Sequence, residues 1–370
     1  MIYFCPQGQK YPQEKNMGFP KKLVVAISGG VDSSVAAAMY REKGVELVGV
    51  TLKMRSCENM PDKRKSCCGI EDDMHARGAA DKLGIPHYFL NVQQEFEEKI
   101  LRKAWQEYAC GRTPNPCALC NRYLKFGTLI DYALKIGAEG IITGHYAVIE
   151  GDTLRRGVDA GKDQTYFLFG LTPEQIGRSF MPLGPFKKSE VREMARNFGL
   201  PNAEKTESQD ACFGYKDETF AQTLQKLFKG ESKKGHLKDM NGKILGEHDG
   251  IHLFTIGQRK GLGIALGAPA YVIKIDPESG DVFVSMDEEA LMCNTLMAKD
   301  VNWQVADFAG REFRCLAQIR YRSRPVPALV SPAVDGGVKV CFDTPLRAVT
   351  AGQAVVFYEK DMLLGGAWIT

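Results

Sequence analysis

The sequence predicts an α/β chain: a doubly wound parallel sheet, then a small central domain, then an antiparallel β-barrel at the C-terminal end. Three observations carry this. Up to about residue 215, short apolar runs alternate with helical patterns, the signature of strand–helix–strand units with right-handed crossovers. Residues 216–265 are rich in Lys and Gly turns. From about residue 268, apolar and polar residues alternate in short runs broken by turns, as in a barrel.

Taken in order, residues 1–20 read as a disordered extension, or as upstream sequence if translation starts at Met17. The run "LVVAI" (23–27) and "ELVGVTL" (46–52) predict strands around a helix at 31–43 that Gly44 closes. A helix at 72–83 ends at Gly84 before the strand "IPHYFLNV" (85–92). A helix near 126–136 leads into a strand within "GAEGIITGHY" (137–146). These complete a domain over 21–215. The central domain, 216–265, has one short helix at 219–229 and glycine-rich loops. The barrel domain, 266–370, is built from "YVIKIDPESGDVFVS", "FRCLAQIRY", "GVKVCFD", "QAVVFYE" and "LLGGAWI".

The 370 residues exceed one hydrophobic core, and 44% apolar with 25% charged residues is an ordinary globular balance. Without a run of about 18 apolar residues or a signal-like N-terminus, no membrane span or export is expected, and a cytoplasmic setting is. A net charge of +3 excludes bulk charge as an argument for nucleic-acid binding, so any basic surface must be local. Eleven cysteines, an odd number, imply reduced thiols, and Cys293, Cys315 and Cys341 read as packing residues of the barrel strands.

The string "SGGVDSS" (28–34) follows a strand and opens a helix. Helix-start amides and the positive end of the dipole suit an anion, and Gly29 and Gly30 admit a phosphate close to the backbone. The Gly-Lys-Ser of the common triphosphate loop is absent. Asp32 fits an anion pocket only if a cation bridges it, which implies Mg²⁺. The alternative is a tight turn with an Asp/Ser helix cap. A second stretch, "GRTPNPCALCNRYLKF" (111–126), holds Cys117 and Cys120 three residues apart, so both sulfurs can face one point, as in metal or redox sites. Downstream, "TESQDACFG" (206–214) sets Cys212 in a polar, loop-like context suited to a reactive thiol.

"SGGVDSS" resembles the pyrophosphate loop of the ATP pyrophosphatase (PP-loop, HUP-like) superfamily, which splits ATP between its α and β phosphates. With "TPNPCALCN", "TGHYA", "GKDQTYFL", "ESQDACF" and "GQRKGLGI" in order, residues 21–370 resemble the tRNA-specific 2-thiouridylase family. The resemblance implies ATP-dependent 2-thiolation of the wobble uridine in the tRNA anticodon stem-loop, with a cysteine desulfurase or sulfur relay as donor. It implies that Ile27, Ser28, Gly29, Gly30, Val31, Asp32, Ser33 and Ser34 grip the ATP phosphates, with Leu52 and Gly144 at the nucleotide. It implies Cys120 and Cys212 as the catalytic pair, and Asn115, Pro116 and Cys117 around the target base. His145, Lys162, Asp163, Gln164, Arg320, Tyr321 and Gln353 would contact tRNA.

One departure shapes the chemistry. Many relatives carry aspartate where this chain has Cys117. Three thiolates, Cys117, Cys120 and Cys212, would then hold three irons of a 4Fe–4S cluster, leaving the fourth iron open. The alternatives are a persulfide on Cys212 with Cys117 a bystander, and a structural Zn²⁺ on Cys67, Cys68, Cys117 and Cys120. A nitrogen ligase of the same superfamily would need neither Cys120 nor Cys212, and a non-catalytic RNA-binding zinc protein would leave the loop vestigial. In "REFRCLAQIRYRSRP" (311–325), strand alternation would put Arg320, Arg322 and Arg324 on one face and Tyr321 opposite, either a phosphate-binding stripe or a plain solvated strand face, and "GQRKG" adds Arg259 and Lys260 on a flexible loop. Cys57, Cys67, Cys68 and Lys63–Lys65 read as a surface loop.

Overall fold

The computed structural model describes residues 20–55, 70–206 and 218–370. Cys57, Cys67, Cys68, Cys212 and the N-terminal extension lie outside the described residues.

Strands β1 (Lys22–Ala26), β2 (Glu46–Lys53), β3 (His87–Asn91) and β4 (Ile141–Ile142) are followed by a hairpin, β5 (Ala147–Glu150) and β6 (Thr153–Arg156), and by β7 (Ser179–Phe180). Five of them form a parallel sheet ordered β3-β2-β1-β4-β7. β1 is apolar from Leu23 to Ala26 because both faces are covered. Val24 packs on one side with Phe126, Leu129 and Ala133, while Leu23 and Val25 pack on the other with Val35, Tyr40, Ala76 and Val191. The order reverses between β1 and β4, so the loops leaving these strands frame a crevice at the carboxyl edge of the sheet.

The predicted helices are present as α1 (Val31–Glu42) and α2 (Ile70–Leu83), and the central helix spans Phe220–Phe228, capped by Thr219. The short strand β7 and the hairpin β5–β6 are not apparent in the sequence, because each is too brief to show a period.

The central sheet contains β8 (Gly235–Lys238), β9 (Ile244–His248), β10 (Tyr271–Ile275) and β11 (Val282–Ser285), ordered β10-β11-β8-β9. This corrects one expectation. The hairpin "YVIKIDPESGDVFVS" belongs to the central sheet and not to the barrel, since β11 pairs with β8 and Val272, Val282 and Val284 share a core with Leu237 and Phe254. Alternation marked it as strand without saying which sheet it would join.

The barrel is β12 (Met292–Trp303), β13 (Phe313–Gln318), β14 (Val326–Pro332), β15 (Val338–Arg347), β16 (Ala354–Glu359) and β17 (Met362–Ile369), ordered β12-β15-β14-β13-β16-β17 and closed by β12–β17 pairing. Val355 and Phe357 of β16 point into the barrel, while Ala354, Val356 and Tyr358 pack against Phe126 and Tyr166 of the first domain. The run "AVVFY" is buried on both faces for that reason. β6 extends the barrel sheet through β17, with Met362 opposite Arg155. Cys293, Cys315 and Cys341 are half-buried barrel positions, as expected.

Candidate active site

Ile27–Gly30 connect β1 to α1, and Val31–Ser34 form the first turn of that helix. Gly30 caps α1 without a side-chain acceptor, leaving the first-turn amides oriented for an anion. The serines brace the turn: Ser28 N donates to Ser33 Oγ at 3.2 Å, and Ser33 Oγ and Ser34 Oγ each donate to Gly30 O at 3.1 Å. Gly29 has φ +76°, and a Cβ there would lie 2.3 Å from the Asp72 carbonyl oxygen, so only glycine fits. Gly144, leaving β4, packs so closely that a Cβ would stand 2.7 Å from Ser33 N. The two loops flanking the crevice therefore touch.

Several residues that the sequence did not single out complete this site. Asp32 Oδ1 accepts from Tyr146 OH at 2.9 Å and from Lys188 Nζ at 2.6 Å. Asn202 Nδ2 donates to Gly29 O at 3.1 Å and Ser34 Oγ at 3.0 Å, and Lys205 Nζ reaches Gly29 O at 3.3 Å and Asp72 Oδ1 at 2.5 Å. Lys188 carried a faint signal, because a lysine opening a helix (Lys188–Asn197) opposes the dipole and needs an acidic partner elsewhere. Asn202 and Lys205 carried none.

The cysteine pair lies on a short helix, Pro116–Cys120, with Pro116 in its first turn and Asn115 Oδ1 accepting from Ala118 N at 3.2 Å as its cap. Cys117 is half-buried, and Cys120 is only 4% exposed, packed with Met54, Val92, Phe96 and Leu124. Met54 and Val92 immediately follow β2 and β3, so this helix stands at the same sheet edge as the phosphate loop. Leu52, near the end of β2, packs against it. A three-residue spacing puts both sulfurs on one helix face. Among the described residues no three His, Cys, Asp or Glu side chains converge as a metal site. Two of the three expected cluster ligands are thus brought together, and Cys212 lies outside the described residues.

The segment before the helix is held from all three units. Gln353 Nε2 donates to Thr113 O at 3.0 Å and Pro114 O at 2.9 Å, Thr113 N donates to Ala351 O at 2.9 Å, and Thr113 Oγ1 donates to Thr255 Oγ1 at 3.3 Å. Arg112 and Glu107 form a bidentate pair at 2.6 and 2.7 Å.

Other expected tRNA contacts are largely occupied. His145 is buried against Phe126, with Nδ1 2.9 Å from Thr143 Oγ1, and burial together with nearby Lys125 holds its pKa well below 6.5. Asp163 is buried, which raises its pKa, and accepts from Arg156 at 3.0 Å, Gly157 N at 3.2 Å and Thr165 Oγ1 at 2.9 Å. Gln164 Oε1 accepts from Tyr146 N at 2.9 Å, while Lys162 is half-buried. Arg156 also reaches Gln318 Oε1 at 2.7 Å, and Gln318 Nε2 holds the carbonyls of Arg320 and Tyr321 at 2.9 and 2.8 Å. The side chain of Asp163 therefore works as the far anchor of the turn bearing Arg320 and Tyr321.

That turn corrects the alternation argument. β13 ends at Gln318, so Arg320, Arg322 and Arg324 follow a turn and not a strand face. Arg320 donates to Ala348 O and to Thr350 Oγ1 (3.1 Å), Tyr321 packs on Phe167 with centroids 4.5 Å apart, and Arg322 and Arg324 are exposed.

Three family descriptions match the chain: a tRNA methyl transferase HUP domain over residues 21–216, a tRNA methyl transferase PRC-barrel domain over 222–286 and an aminomethyltransferase beta-barrel domain over 293–369. The tRNA-specific 2-thiouridylase MnmA of Pelotomaculum thermopropionicum is 47% identical over 94% of this chain and 97% of its own. That of Carboxydothermus hydrogenoformans is 46% identical over 94% and 97%. Among solved structures, NMN synthetase from Francisella tularensis overlaps 59% of this chain and 81% of its own at 18% identity and a TM-score of 0.36, too slight to bear on function. With relatives this similar along almost its whole length, the chain belongs to the tRNA-specific 2-thiouridylase family.

Proposed function

We propose that this enzyme converts the wobble uridine of tRNA to 2-thiouridine, using ATP, in two steps. The observation that carries the reading is the placement of the phosphate loop and the Cys117–Cys120 helix along one edge of one sheet. The chain's membership of a family whose curated relatives are named for this activity supports it.

In the first step uracil O2 attacks the α-phosphorus, the bond to the β-phosphate breaks, and pyrophosphate leaves. The α1 amides and Lys205 suit the phosphates. Asp32 fits Mg²⁺ as a carboxylate ligand, and Lys188 balances its charge otherwise. In the second step sulfur bonds to C2, the C2–O2 bond breaks, and AMP leaves carrying O2. Adenylation is needed because an unactivated oxygen is a poor leaving group. The nucleophile must be deprotonated near neutral pH.

The pair Cys117 and Cys120, with Cys212, suits a 4Fe–4S cluster whose open iron would supply hydrosulfide. The thiol at position 117 favours this over a persulfide on Cys212. Asn115 and Pro116 line the base beside Cys117, and residues 21–215 do the chemistry while the barrel presents the RNA. A cytoplasmic setting and a cysteine desulfurase or sulfur relay as donor complete the reading.

Cys117→Asp tests the cluster. Anaerobically prepared protein is expected to be brown with about four irons per chain, and the substitution is expected to abolish iron and thiolation together, since an oxygen ligand suits this soft site poorly. Full single-turnover thiolation by iron-free protein given a persulfide donor would reject the cluster and leave Cys120 and Cys212 as the working pair.

A further inference from the structure

The turn Ala348–Gln353 joins two places that the proposed reaction must coordinate. On one side Arg320 donates to Ala348 O and Thr350 Oγ1. On the other, Ala351 O and the Gln353 amide hold Thr113 and Pro114, four and three residues ahead of Cys117. The turn itself is set firmly. Gly352 N donates to Ile369 O at 2.9 Å and Ile369 N to Gln353 O at 2.8 Å, tying it to the last barrel strand. Gly352 has φ +86°, and a Cβ there would lie 2.8 Å from Thr113 O, so the turn and the loop are in direct backbone contact. Ala348, a non-glycine residue at φ +56°, is held in that left-handed conformation by Ala348 N donating to Leu291 O at 2.8 Å.

We propose that Gln353 is a positioning residue for the cysteine helix, fixing Cys117 and Cys120 relative to the RNA-bearing barrel, and that contacting RNA is not its principal role. The proposal rests on the thiolation reading above. Its chemistry is direct. Thr113 and Pro114 offer two carbonyls in succession, and Pro116, three residues after Thr113, has no N–H to close a local turn onto Thr113 O, so the Gln353 amide serves as the donor. One NH₂ group carries two protons and meets both carbonyls. A shift of about 1 Å in a reacting group costs on the order of a hundredfold in rate, so a clamp remote from the chemistry can govern it.

Gln353→Met keeps the length of the side chain without the donor, and Gln353→Glu keeps the shape with an acceptor in the donor's place. In both variants the single-turnover thiolation rate at saturating tRNA is expected to fall roughly tenfold to a hundredfold, with tRNA and ATP affinities within about twofold of wild type. A separate arm needs no turnover. Aerobically purified full-length protein in reducing buffer is pulsed with iodoacetamide, and fragment-ion mass spectrometry of the tryptic peptide 113–122 reads Cys117 and Cys120 separately. Cys120, buried in the wild type, is expected to alkylate severalfold faster in the variants. Weakened tRNA binding with a normal rate at saturation would overturn the proposal and make Gln353 an RNA contact, as would wild-type rates and alkylation throughout. If wild-type protein fails to thiolate tRNA, the functional reading falls, and the alkylation arm alone decides the clamp.

Discussion

The phosphate loop and the cysteine loop stand on the same sheet edge, yet they are held in opposite ways. Ser28–Ser34 is braced within its own domain, by hydrogen bonds spanning three to five residues and by Tyr146, Lys188, Asn202 and Lys205. The Thr113–Cys117 segment is held from the other two units, by Ala351 and Gln353 of the barrel and by Thr255. All the partners of Ser28–Ser34 lie in the first domain, so on the proposed reading the nucleotide grip needs no residue of the other two units. On the same reading the sulfur site draws support from all three units, which suits a step that must await correctly seated RNA.

The largest test of this contrast is Asp32→Ala. Formation of tRNA-dependent AMP is expected to fall by at least a hundredfold, comparable to losing a principal electrostatic group, while tRNA affinity stays within about twofold. AMP release at the wild-type rate would remove the loop from the chemistry. An intermediate effect is expected on the RNA side. Arg322→Ala and Arg324→Ala, both exposed, should each reduce the salt dependence of tRNA binding by about one unit of slope. Arg320→Ala should instead lower the thiolation rate, because Arg320 supports the Ala348–Thr350 turn. Equal slope changes from all three would return them to a single phosphate-binding face.

The smallest effect concerns pH. Burial holds His145 and His252 below their ordinary pKa of 6.5. The unfolded chain then binds protons that the fold excludes, so stability present above pH 6.5 is lost as pH falls through 6.5 towards the folded value. Each such group contributes up to about 1.4 kcal/mol per pH unit in that window. Urea midpoints measured between pH 7.5 and 5.5 should fall with pH, and less steeply for His145→Gln. Identical slopes for the two proteins would mean that His145 protonates freely in the fold.

What the sequence revealed follows the same division. β1, β2, α1 and the Phe220–Phe228 helix each announce themselves within a dozen residues, through an apolar run, a glycine stop or a Thr cap. The strand–turn–helix geometry of Ser28–Ser34 was equally legible, because glycines and serines in a fixed local order carry it. Asn202 and Lys205 were not, since their roles arise only when the chain returns to Gly29 from over 170 positions away. Arg320 was misjudged for a related reason: its run alternates like a strand, but Gln318 turns inward to bind the Arg320 and Tyr321 carbonyls and ends β13 there. The Tyr271–Ser285 hairpin was seen as strands but assigned to the wrong sheet, a choice made by tertiary packing alone.

The hairpin β5–β6 bears on how such a chain is made. It belongs to the first domain, yet it is zipped to β17, with Arg155 paired to Asp361 and Arg156 N donating to Asp361 O. Tyr166 OH and Phe169 O likewise find their partners in Ala354 and Asn302. Synthesis proceeds from the N-terminus, and domains tend to fold as they emerge. Here the first domain reaches the ribosome exit long before the strand that finishes it, and its side facing the barrel must wait, apolar and uncovered, until β17 has emerged. A chain cut short within β17 would leave unfinished the core of the domain that begins it, and translation to the final strand becomes a condition for the catalytic domain to be complete.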